Sequence, residues 1–143
     1  MEESKGGINR GRCETGTAVY AWALMTNQLN HERVALAAMK PGVRGYDVDK
    51  AQRDWMKQAG SEWVMWGTGH PVGYWAHDVG PSLSGAQRDR PPSGASVRLL
   101  QPGQTFAFDG FFSWKVGGAD PNATKTISVE EMAVVTEKGA EYL

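Results

Sequence analysis

Residues 105–116 read TFAFDGFFSWKV. Aromatic residues in this spacing predict an extended strand, in which successive side chains point to opposite faces. Phe106 and Phe108 then share one face, and Thr105, Ala107 and Asp109 share the other. Strands disfavour acids. All four phenylalanines of the chain surround this one, and an ionised carboxylate in such company needs a partner or a metal ion.

Downstream, the loop GGADPNATK (117–125) leads to TISVEEMAVV (126–135) and GAEYL (139–143). These read as a hairpin around Glu137, Lys138 and Gly139, with the glycine suited to positive φ. Ile127 and Val129 share one face of the first strand, while Ser128 and Glu130 share the opposite one. Glu131 then falls on the apolar face unless a bulge intervenes. A plainer account of both glutamates is an edge strand carrying solvated charge against aggregation.

Upstream, VRLL (97–100), EWVMW (62–66) and GYWAHD (73–78) read as further extended pieces, and residues 80–96 as a polar, proline-rich loop. Before Gly60 the period is helical. Residues 18–40 place Trp22, Met25, Leu29 and Leu36 on one stripe, and Pro41 and Gly42 end that helix. Asp47 is the expected N-cap of a second helix, Val48, Ala51, Trp55 and Ala59 its apolar stripe, and Gly60 its C′ glycine. Residues 1–17 show no period and read as a loose N-terminal tail, leaving residues 18–143 as a single domain. Helices followed by a run of strands predict an α+β fold.

Fifteen basic residues face sixteen acidic ones. That balance offers no electrostatic footprint for nucleic acid or an anionic membrane. The single cysteine, Cys13, allows no internal disulfide, which fits a reducing, cytoplasmic setting. The opening residues MEESKGG do not read as a signal peptide, and the longest apolar run is too short for a membrane span.

Histidine is the side chain most open to double duty as ligand and base. His31 sits among polar helical residues and reads as solvated. His70 and His77 flank an interrupted stretch, GTGHPVGYWAHD (67–78). An odd separation puts them on opposite faces of an unbroken strand, but Gly69, Pro71 and Gly73 break it, so both can reach one cavity. One imidazole with two carboxylates on separate strands is an N/O donor set suited to Mn²⁺, Co²⁺, Fe²⁺ or Zn²⁺.

These residues, in this order, resemble the C-terminal half of the pita-bread metallopeptidases, the creatinase-like family of methionine aminopeptidase, prolidase and Xaa-Pro aminopeptidase. AMKPGVRGYDVDKAQRDWMKQAG resembles the family's helix, Pro-Gly turn and second helix. GTGHPVGYWAHD resembles its GTGHGVG…HE segment, LLQPGQTFAFDGFF its L-x-PG-M-x-F-x-x-E-P strand, and ISVEEMAVVTEKGAEYL its closing hairpin. The resemblance implies a curved antiparallel sheet backed by helices, with the site in its hollow. It implies His70, Asp109 and Glu130 as metal ligands, His77 as the residue that binds substrate and steadies the tetrahedral intermediate, and Asp109 also as acid and base. The cofactor implied is a divalent metal, Mn, Co or Zn. Trp66 and Trp75, beside His70, are the expected walls of an apolar substrate pocket.

The sequence also departs from the family. No aspartate precedes Asp47, where the family has two aspartate ligands. Asp109 replaces a glutamate, Trp66 replaces a further histidine of the Xaa-Pro enzymes, and Ser128 replaces an arginine. Asp109 and Glu130 supply two negative charges, which balance one divalent ion but not two. The expectation is therefore a metal-dependent exopeptidase acting on peptides with proline at the second position, present as an incomplete catalytic domain that holds at most one ion. The alternative is a metal-free pseudoenzyme that uses the fold as a peptide- or protein-binding module. Homodimerisation is the natural cover for an exposed apolar sheet face.

Overall fold

The computed structural model describes residues 32–86, 91–116 and 120–143. The expected tail, His31, Cys13 and the helix positions Trp22, Met25 and Leu29 lie outside the described residues. Helix α1 covers residues 32–38 and stops before Pro41 and Gly42, where Gly42 has a φ of 81° that L-residues avoid. Helix α2 spans Gly45–Gln58. Four strands follow: β1 Gly69–Val72, β2 Thr105–Lys115, β3 Thr124–Thr136 and β4 Gly139–Tyr142.

The strands form one sheet in the order β1-β2-β3-β4, with every neighbouring pair antiparallel. The architecture is the expected α+β one. The register sets the two faces. Phe106 pairs with Ala133 and Phe108 with Glu131, while Ala107 pairs with Met132 and Asp109 with Glu130. Phe106, Phe108, Ala133 and Val135 turn inward and cluster with Ala35 and Met39 before the Pro-Gly turn, Val48 of α2, and Leu83 and Leu100. Alternation along β2 thus does what the sequence pattern implies: one face feeds the core and the other carries Asp109.

Helix α2 begins earlier than expected and is rotated. Its N-cap is Arg44, and Asp47 lies in the first turn, where its carboxylate accepts two bonds from the Arg44 guanidinium, each 2.8 Å. This partner holds the Asp47 carboxyl below its ordinary range. The pair is exposed, and exposed pairs add little, so Asp47→Ala is expected to leave the urea midpoint unchanged within measurement error. The buried face is Gly45, Val48, Asp49, Gln52 and Met56; of the expected stripe Val48 is buried, while Ala51, Trp55 and Ala59 are not. Two polar residues occupy it because each finds partners across the fold. Gly60, with φ 83°, ends the helix as expected.

Three extended pieces differ from expectation. Residues 62–66 are not a ladder strand; one side chain of α2, Arg53, takes two of their carbonyls, donating to Val64 O at 3.0 Å and to Trp66 O. Residues 73–78 form a bend rather than a strand; Gly73 N donates to Trp75 O and Asp78 N to Pro71 O. VRLL is split between a 3-10 turn at Gly94–Val97 and a single bridge from Leu99 to Arg44. The closing hairpin is present, with Thr136 opposite Gly139, but Gly139 is not among the glycines with positive φ.

Candidate functional site

The site is built on the sheet face that turns away from the core. β1 carries His70, whose cross-strand partner is Ala107, so His70 shares a face with Ala107, Asp109 and Glu130. The His70 Nε2 lies 3.9 Å from Glu130 Oε1. Its Nδ1 makes a weak 3.4 Å contact with the Pro71 carbonyl. A carbonyl only accepts, so this contact is a hydrogen bond only when Nδ1 carries the hydrogen.

The bend at residues 73–78 returns His77 to the same place. Asp78 pins that bend by accepting from Val79 N at 2.7 Å and Trp75 N at 3.3 Å, and these backbone donors hold its carboxyl below the usual range. A Cβ on Gly73 would meet Asp78 Oδ2 at 2.4 Å, so a side chain there would displace the carboxylate that pins the bend. The His70 and His77 rings end 4.1 Å apart between centroids. Burial pushes the Asp109 carboxyl up, Glu130 adds to the rise, and His70 and His77 oppose it.

Of the two tryptophans expected to wall a pocket, Trp66 stacks on Phe111 with centroids 5.3 Å apart. Phe111 is two residues along β2 from Asp109, on the same face, and no feature of the sequence alone singled it out. Trp75 is exposed on the bend and packs edge-on against Tyr74 at 5.0 Å.

A family model described as Metallopeptidase family M24 matches residues 17–137. The chain belongs to this family. It is 29% identical over 112 residues to the probable dipeptidase PepE of Mycobacterium tuberculosis (strain H37Rv), an alignment covering 76% of the chain and 25% of that relative. Among solved structures, the dipeptidase PepE from Mycobacterium ulcerans is 26% identical with a TM-score of 0.62, covering 82% of this chain and 27% of that one. Methionine aminopeptidase from Rickettsia prowazekii shares the fold, with a TM-score of 0.64 at 19% identity, over 87% of this chain and 52% of that one. The fold is thus part of the pita-bread architecture. The M24 chain described here spans about a quarter of the length of the curated relatives it matches.

Family membership implies a divalent metal. Among the described residues, no three His, Cys, Asp or Glu side chains stand together as a formed ion site. The chemistry of the donor set nevertheless fits a single ion: one imidazole nitrogen and two carboxylates on one face balance a double positive charge. It does not fit a pair of ions, which would leave two charges uncompensated. Among the described residues, no helix is long and apolar enough to cross a membrane.

Proposed function

We propose that this chain carries part of the catalytic site of a metal-dependent exopeptidase of the Xaa-Pro dipeptidase or aminopeptidase type. The observation that carries this reading is that His70, Asp109 and Glu130 share one sheet face, with the His77 ring against His70, in a chain of the M24 family. His70, Asp109 and Glu130 would hold one divalent ion. When bound, such an ion polarises the scissile carbonyl and lowers the pKa of attacking water. His77 would hydrogen-bond the carbonyl oxygen as negative charge develops on it. Asp109 would move the proton toward the leaving amine, and burial pushes its carboxyl above the usual carboxylate range, the direction that favours holding a proton. The Trp66–Phe111 shelf beside Asp109 would receive the apolar proline ring of the substrate.

A second reading, a metal-free peptide-binding module, is favoured by the absence of a formed three-donor group among the described residues. The two separate by metal content and turnover. The expected result for the purified chain is at most about one Mn²⁺ or Co²⁺ per chain on elemental analysis, lost in His70→Ala, with poor hydrolysis of Xaa-Pro dipeptides. No uptake of metal together with saturable quenching of Trp66 fluorescence by a proline dipeptide supports the module. Two tightly held ions per chain with turnover on the order of 10 s⁻¹, an ordinary enzyme rate, overturns both.

A further inference from the structure

The buried polar face of α2 is tied to the main chain of Asp109. Asp49 is fully buried. Its Oδ1 accepts from Thr68 N at 3.1 Å, from Thr68 Oγ1 at 2.8 Å and from Arg53 Nε at 3.1 Å, and its Oδ2 accepts from Ala86 N at 2.7 Å. A carboxylate held by this many donors is a fixed anchor. The Thr68 hydroxyl has one hydrogen, for which Asp49 Oδ1 and Gln52 Oε1 are alternative acceptors. The Gln52 Nε2 donates to the carbonyl of Asp109 at 2.9 Å. On its other side the Asp109 N–H donates to the Thr68 carbonyl at 2.6 Å. Both hydrogen-bonding groups of the Asp109 backbone are therefore held by one buried assembly. Gln52 and Thr68 are each 1% exposed, so water does not compete for these bonds.

The same assembly reaches His70. Thr68 lies two residues before it, and Arg53 holds the carbonyls of Val64 and Trp66 just upstream. A one-residue or one-ångström slip of β1 against β2 would carry the imidazole away from Glu130. Sheet pairing leaves that to four residue pairs, Gly69 to Val72 against Thr105 to Phe108, and a strand so short is weakly specified by itself.

We propose that Gln52 and Thr68, anchored by Asp49, are positioning residues that set where the Asp109 carboxylate and the His70 imidazole stand relative to each other. The inference rests on the reading of His70, Asp109 and Glu130 as ligands of one ion. It concerns no contact with the ion itself: Gln52 and Thr68 act through the Asp109 main chain and through the approach to His70. Groups that orient ligands in this way typically change metal affinity by roughly 10–100-fold when removed.

The test compares Thr68→Val, which removes the hydroxyl at nearly constant shape, with Thr68→Ser, which keeps it, and with Gln52→Leu. His70→Ala and Asp109→Asn report on the site itself. Co²⁺ affinity is measured by calorimetry, hydrogen exchange is followed at the Asp109 amide, and urea midpoints are recorded for every variant. The expected result is a 10–100-fold weaker Co²⁺ affinity and faster Asp109 exchange in Thr68→Val and Gln52→Leu, with both restored in Thr68→Ser. Loss of Co²⁺ binding in His70→Ala and Asp109→Asn, with unchanged affinity in Thr68→Val and Gln52→Leu, overturns the positioning role while leaving the site reading intact. Affinity that falls only in step with the urea midpoint, with Thr68→Ser no better than Thr68→Val, also overturns it, since it assigns these residues to stability alone. If the unmodified chain binds no Co²⁺, the ion-site reading fails, and the exchange measurement decides positioning: faster exchange at Asp109 in Thr68→Val, restored in Thr68→Ser, upholds it, and unchanged exchange overturns it.

Discussion

The stability of this chain is expected to fall as pH rises from about 4.5 to about 7, and replacing Glu32 by glutamine is expected to flatten that part of the profile. Glu32 lies in α1 and is 1% exposed. Its Oε1 has no hydrogen-bond partner. Burial, reinforced by the charges of Glu131 and then Asp109, raises its carboxyl from 4.5 to about 7. Tyr142, whose hydroxyl is also shifted upward by burial first and then by Glu32 and Glu131, borders the same acids. Below pH 4.5 Glu32 is protonated in both folded and unfolded chains, so nothing is lost. Between 4.5 and 7 the unfolded chain sheds the proton and the folded chain keeps it. The folded state then binds more protons, and stability declines with pH. Above 7 both are ionised and the full penalty remains. At about 1.4 kcal/mol per pH unit the loss is on the order of 3 kcal/mol, a large share of an ordinary domain's stability. Asp109, also shifted upward, adds a slope of the same sign, so the decisive quantity is the difference between the two proteins. Urea unfolding at pH 5 and pH 8 measures it. Glu32→Gln should gain on the parent chain at pH 8 and differ little from it at pH 5; the same pH dependence in both proteins would show that Glu32 is ionised without cost.

The reason for that cost was half visible in the sequence. Alternation along residues 126–135 put Glu131 on the apolar face unless a bulge intervened, and the uninterrupted pairing of β2 with β3 shows none there. The same period-2 logic placed Asp109 and Glu130 on the face opposite Phe106 and Phe108. Glycine and proline around His70 announced a break, and the break is what turns His77 back onto His70. The burial of Asp49 and Gln52 had no such signature. Both read as the polar side of an amphipathic helix, because hydrophobic periodicity treats a polar residue as exposed. Their partners lie far along the chain: Gln52 meets Asp109 57 positions away, and Asp49 meets Ala86 37 positions away. No local window contains such a pair. The segment at residues 62–66 misled for the same reason. Its composition is that of a strand, but Arg53 supplies the donors that a neighbouring strand would have supplied.

Gly69→Ala is expected to destabilise the chain by about 3 kcal/mol or more, at or beyond the upper end of ordinary overpacking, and to separate His70 from Glu130. Gly69 opens β1 opposite Phe108 and exchanges backbone bonds with Leu83 on its other side, at 3.0 and 3.1 Å. It is thus held between two stretches of main chain. A Cβ there would stand 2.3 Å from the Ala107 carbonyl oxygen and 2.8 Å from Phe108 Cα. These are backbone atoms of the central strand pair, so no side-chain rotation can relieve the clash, and β1 must lift from β2. Lifting β1 breaks its four-residue ladder and carries His70 with it, so the site is disturbed by a methyl group that touches none of its side chains. Gly139→Ala is the matched control. Nothing lies within 4 Å of its would-be Cβ, and its φ is not positive. The added methyl restrains the unfolded chain more than the folded one, which should leave stability unchanged or raised by roughly 0.4–1 kcal/mol. Urea midpoints of the two variants against the parent chain decide the matter. A Gly69→Ala protein as stable as Gly139→Ala would mean that β1 is not seated against β2 as described, and that His70 reaches the acids by another route.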